Sequence, residues 1–122
     1  MATNKIEDVV AFYVASWIND DRGALRRLLA PDAEVEWNLD APVDDEELVQ
    51  TLHRIAVFAD AVTVVSRTVA ADGAALIYDL TAPFGTVRMA EFLAVEGGHV
   101  IEVRQVYDLT AVDRYFPGLY DN

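Results

Sequence analysis

Asp108 stands between the strand-like run "VIEVRQVY" and a short helical pattern, "TAVDRYF". A carboxylate there has two possible uses. It can cap the turn by accepting from the amides of residues 110 and 111. It can also serve as a general base, provided that burial among apolar groups lifts its pKa from about 4 toward neutrality. The hydrogen-bond donors for such a base would be Tyr13, Trp17 or Tyr78.

Arg88 is the matching cation. It could hold an enolate or carboxylate, and with Asp108 it makes the candidate catalytic pair. A structural use competes with this one. If the "PFG" hairpin centres on residues 83 and 84, Asp79 sits opposite Arg88 on the same face and forms an ion pair with it. Alternation then puts Glu91 on the other face of the sheet. His53, one position from the Leu52 stripe, could relay protons at a pocket rim or simply sit half-exposed on its helix. Trp17, Trp37, Phe84 and Phe92 could line an apolar ligand site or fill the core. A metal site has no support: the chain has two His and no Cys.

These residues need elements to hold them. Ile6, Val9, Val10, Tyr13, Val14, Trp17 and Ile18 recur at helical spacing and predict a long amphipathic helix with an aromatic stripe. Asp20 or Asp21 can cap a second helix with Leu25, Leu28 and Leu29 inward, and Pro31 stops it. "AEVEWNL" alternates as a half-buried strand. Asp44 with Glu47 resembles a capping box opening a third helix, whose stripe is Leu48, Leu52, Ile55, Ala56 and Ala59. From Val62 the period changes from 3.6 to 2. "VTVVSRTVA", "AALIYDLTA", "TVRMAEFLAV" and "VIEVRQVYD", joined by "ADG", "PFG" and "EGG", predict a four-stranded antiparallel meander. Helices segregated from an antiparallel sheet make the class α+β, with the sheet curled around the first helix. Val87, Met89 and Leu93 are the expected outward apolar set on that sheet.

Composition sets the outer limits. The 122 residues suffice for one domain, spanning 1–122, and the 53% apolar content argues against disorder. The net charge of −12 disfavours a nucleic-acid partner. No apolar run approaches the roughly 20 residues of a membrane span. "MATNKIEDVV" lacks a secretory apolar core, so the expected location is the cytoplasm. Without Cys, thiol chemistry is excluded, and no phosphate-binding loop or nucleophile elbow occurs.

The order of elements, with "FYVASWINDDRGALRRLLAPDAEVEW" at 12 to 37 and "VRMAEFLAVEGGHVIEVRQVYD" at 87 to 108, resembles the SnoaL-like polyketide cyclases. That group belongs to the nuclear-transport-factor-2-like superfamily, along with ketosteroid isomerases and limonene-epoxide hydrolases. The resemblance covers nearly the whole chain. It implies a cone-shaped curved sheet closed by helices, an apolar pocket inside, and a homodimer through the outer sheet face. Asp108 matches the family's Asp at the end of the last strand, and Arg88 matches its Arg on the preceding one. Ala90 stands where epoxide hydrolases carry a second carboxylate, and with His99 expected in the "EGGH" turn no predicted strand bears the cyclase histidine. The resemblance therefore implies a cofactor-independent acid/base enzyme acting on an apolar cyclic or polyketide-like molecule. The alternative is a non-catalytic ligand-binding or dimeric module of the same fold.

Overall fold

The computed structural model describes residues 5–37, 44–83, 85–108, 110 and 114. Three helices and five strands follow in the order α1 (Ile6–Ile18), α2 (Arg22–Leu28), β1 (Leu29–Trp37), α3 (Asp45–Phe58), β2 (Ala61–Val69), β3 (Gly73–Ala82), β4 (Gly85–Glu96) and β5 (His99–Tyr107).

Helix α1 buries Val9, Val10, Tyr13, Val14 and Trp17, the stripe its spacing predicts. Its end passes through Asp20, a non-glycine residue at φ 56°. Asp21 then caps α2 by accepting from the Ala24 amide at 3.1 Å. The chain leaves α2 at Leu28 and enters β1 at once, so Pro31 lies inside the strand rather than just after the helix. The register shift between Leu29 and Glu34 takes up this segment, where a proline can be tolerated. Asp44 caps α3 as expected, accepting from the Glu47 amide at 2.8 Å.

The sheet order is β1-β5-β4-β3-β2. Strands β2 to β5 form the antiparallel meander, and β1 adds to β5 in parallel; His99 is the first residue of β5, paired with Glu96, and not a turn residue as expected. The pairings β1·β5, β2·β3 and β4·β5 each carry an irregularity, of the kind that bends a strand and increases its twist. The result is an open, curved mixed sheet with the helices over its concave face. Gly73 marks one tight approach, because a Cβ there would sit 2.0 Å from the Leu93 carbonyl oxygen.

Alternation along β4 decides what the concave face holds. Val87, Met89, Glu91, Leu93 and Val95 all point into the core. This corrects the expectation that Val87, Met89 and Leu93 face outward. They are buried against the helices, and the residues between them, including Arg88 and Phe92, face solvent. One apolar core runs from α1 through α3 to β5. Among the described residues, no helix is long and apolar enough to cross a membrane.

Candidate functional site

The concave face carries a polar cluster inside the apolar core. Glu91 on β4 is 0% exposed. Its carboxylate accepts from three neutral donors on three different elements. Tyr13 Oη on α1 donates to Oε2 at 2.8 Å, and Tyr78 Oη on β3 donates to Oε1 at 2.7 Å. Gln105 Nε2 on β5 donates to Oε2 at 2.7 Å. The sheet register dictates the arrangement. Glu91 pairs directly with Gln105, while Tyr78 pairs with Met89 and so reaches Glu91 diagonally on the same face. Helix α1 crosses above and brings down Tyr13. Trp17, one helical turn on, packs edge-to-face on Tyr78 with ring centroids 5.2 Å apart.

The electrostatics follow from burial. Desolvation raises the Glu91 pKa above the usual carboxylate range, and the bonds from Gln105, Tyr78 and Tyr13 pull against that rise. Burial also pushes both phenols well up, with the charge on Glu91 adding to the effect. Trp17 Nε1–H pulls the Tyr78 phenol slightly the other way without reaching hydrogen-bonding geometry. Gln105 Oε1 is buried and has no hydrogen-bond partner among the described residues. The arrangement is a carboxyl group whose charged and neutral forms have been brought closer in energy, held by groups that can each donate a hydrogen bond to an oxygen. That is the equipment of general acid/base chemistry.

The row Glu91–Gln105 continues across the sheet to Trp37, the register partner of Gln105 on β1. Trp37 is half-buried and lines a cleft of about 270 Å³ between β1 and α3, together with Gln50, Thr51 and Arg54.

The residues singled out from sequence divide sharply. Tyr13, Tyr78 and Trp17 come together, but around Glu91 rather than Asp108. Asp108 is exposed, and its Oδ1 accepts from the Thr110 amide at 3.0 Å, the turn use rather than the pocket use. Arg88 is 63% exposed and makes a two-pronged pair with Asp79 at 2.8 and 2.9 Å, as the register predicts. The proposed catalytic pair is therefore not assembled on the concave face. Phe92 is 47% exposed on the convex face, away from the cluster around Glu91. His53 turns toward the α1–α2 junction, with Nδ1 2.7 Å from Asp20 Oδ1. Phe84 lies outside the described residues, as does most of the expected helical turn after Asp108. Among the described residues, no group of three or more His, Asp or Glu could hold a metal ion.

Sequence reasoning missed Glu91 and Gln105 as members of the site. A signal was available for the first: along "VRMAEFLAV" the positions 87, 89, 91, 93 and 95 read Val, Met, Glu, Leu, Val. A single carboxylate in an otherwise apolar alternating row is a buried polar group that must find donors.

With this architecture described, the chain can be placed by fold: it has the nuclear-transport-factor-2-like α+β cone fold. No family model matches it, and no curated protein is significantly similar to it in sequence. Solved structures share the fold at low identity. A protein assigned as a SnoaL-like polyketide cyclase from Jannaschia sp. CCS1 is 19% identical, with 96% of this chain and 97% of that one covered at a TM-score of 0.74. A steroid delta-isomerase from Pseudomonas aeruginosa is 12% identical, with 90% and 84% covered at 0.74. An NTF2-like protein of unknown function from Cytophaga hutchinsonii ATCC 33406 is 12% identical, with 91% and 96% covered at 0.72. The fold is thus shared by an isomerase and by a protein without an assigned activity, and it does not carry a reaction by itself.

Proposed function

We propose that the chain is a cofactor-independent enzyme performing proton transfer on an apolar cyclic or polyketide-like small molecule, with Glu91 as its proton-handling group. The observation that carries this reading is a fully buried carboxylate held by two phenols and an amide, with no ion pair among the described residues. A structural carboxylate is more cheaply placed at the surface, because burying one costs several kcal/mol unless it is well compensated. In a reaction, Glu91 would take a proton from carbon beside a carbonyl and return it at another carbon. Tyr13 or Tyr78 would turn its O–H to the developing enolate oxygen. A carboxyl group in an apolar site tuned for such chemistry is a known pattern in ketosteroid isomerisation. Isomerisation uses both halves of this step; ring closure uses the first, the proton then going to the new alkoxide, and in hydration Glu91 would instead take the proton from water. Isomerase and cyclase neighbours of the same fold support that range.

The test is exchange of α-protons with deuterated water, followed by NMR, for a panel of cyclic β,γ-unsaturated ketones and 1,3-diketones. The wild type should accelerate exchange, and Glu91→Gln should not. Equal rates for the two proteins across the panel count against the reading. They favour the second one, a ligand-binding module, whose supporting observation is that Glu91 has no exposed surface.

A homodimer through the convex face is part of the proposal. Phe92 and Val106 are exposed there at 47% and 48%, on paired strands. Light scattering on Phe92→Glu should show a monomer where the wild type shows a dimer. A dimer in both would leave that face out of the interface.

A further inference from the structure

The Gln105 amide is oriented for one charge state of Glu91 only. Nε2 points at Oε2 from 2.7 Å, which suits an acceptor-only carboxylate. A protonated Glu91 must donate, and its proton then needs an acceptor inside the cluster. The phenols are poor candidates. If Tyr13 accepted, its own O–H would lose its partner, Glu91. Tyr78 is in the same position. Gln105 Oε1 differs: it is buried and accepts from no group among the described residues. Rotating the amide by half a turn exchanges Nε2 and Oε1 with almost no change in shape, the same ambiguity that makes amide orientations depend on their network. The rotated form puts an acceptor where the new donor needs one. The unrotated form leaves two donors facing each other at 2.7 Å.

We propose that Gln105 is the positioning residue for the Glu91 proton, its amide presenting Nε2 to the carboxylate and turning to present Oε1 to the acid. This rests on the reading of Glu91 as the proton-handling group, but not on any particular substrate. The groups facing Glu91 are Tyr13 and Trp17 from α1, Tyr78 from β3 and Gln105 from β5. Arg67 on β2 acts on Tyr78 electrostatically. Helix α3 supplies Leu48, Leu52, Ile55 and Thr51 to the core. An amide that offers either a donor or an acceptor keeps the carboxyl group bonded in both states, which is what a residue that gains and loses a proton in each cycle requires.

The experiment is an NMR titration of uniformly labelled protein, following the Glu91 and Gln105 side-chain carboxyl, carbonyl and amide resonances. The expected result is that both residues change with one midpoint. In Glu91→Gln the Gln105 signals should lose this pH dependence, because the titrating group at 91 is gone. Titration of Glu91 with an unmoved Gln105 overturns this inference and leaves the proton-handling role standing. Absence of any Glu91 titration across the folded range overturns both. Gln105→Met gives a second readout through chemical denaturation. A turning amide predicts a loss on both sides of the midpoint, about tenfold in the unfolding constant above it and about fivefold below. A loss confined to the high-pH side means a fixed donor and also overturns the inference.

Discussion

Strand β4 carries its two most informative charges three residues apart, and they have opposite fates. Arg88 faces solvent and is paired with Asp79 by two short bonds. Glu91 faces the core and is held by three bonds of the same length. Bond distances therefore do not separate the two regions; desolvation does. On the convex face, water already solvates both partners. The guanidinium holds Asp79 below its ordinary value, and the carboxylate raises Arg88. Such a pair changes little when broken, because water takes the vacated positions. On the concave face nothing replaces a lost partner. Burial drives Glu91 upward despite three donors, and each donor is committed to it. The lesson is that a carboxylate's partners identify a site only when combined with the direction in which its pKa moves.

The sharpest way to break the contrast is Glu91→Leu. It leaves two phenol hydroxyls and one amide buried without their acceptor. Each orphaned group costs about 1–3 kcal/mol, so the expected loss is on the order of 3–5 kcal/mol once relief of the buried charge is counted. Urea denaturation reads it directly. A loss below about 1 kcal/mol would mean that the cluster is readily rehydrated and is not the closed site described above.

The pH dependence comes next in size. The folded form binds the Glu91 proton more tightly than the unfolded chain, since its pKa is raised above the ordinary 4.5. Between those two values the native state holds more protons, so stability falls as pH rises through the window. The contribution is complete below the unfolded value and lost above the folded one. Surface pairs act in the opposite sense. Glu46, lowered to about 2 by its bond to Arg26, contributes above its ordinary value and loses that contribution as pH falls through about 2. The difference between wild type and Glu91→Gln isolates the buried group. It should shift toward the variant as pH rises from 4.5 toward neutrality. A flat difference would show that Glu91 has the same affinity for its proton folded and unfolded.

The two faces were also unequally legible in the sequence. Periodicity placed the helices and the meander, and the hairpin at residues 83 and 84 placed Asp79 opposite Arg88. Alternation put Glu91 on the other face. What alternation could not supply was which face was inside. That depends on α1 lying across the sheet, a long-range packing fact, and so Val87, Met89 and Leu93 were assigned outward. Asp108 attracted attention because its position matched a family pattern. Its local sequence favours a turn, and that is how the backbone uses it. The lone carboxylate in the apolar row signals that Glu91 needs donors but does not say which residues supply them. Those donors come from three elements far apart in the chain, from Tyr13 to Gln105.

The smallest expected effect is on the convex side, and it sharpens the comparison most. Arg88→Met keeps the aliphatic stem and removes the charge, leaving Asp79 in contact with water. The stability change should be near the limit of detection in low salt and vanish in high salt, because screening removes what little the pair contributes. If the proton-transfer reading is right, the same variant should keep the wild-type rate of α-proton exchange, since Arg88 faces away from Glu91. The double variant Asp79→Asn with Arg88→Met completes the cycle, and its coupling should fall with ionic strength. A coupling that persists in high salt would mean that this face is desolvated in solution. Only a covering partner could do that; the expected fall instead places the Asp79–Arg88 pair outside the contact that Phe92 and Val106 make in the proposed dimer.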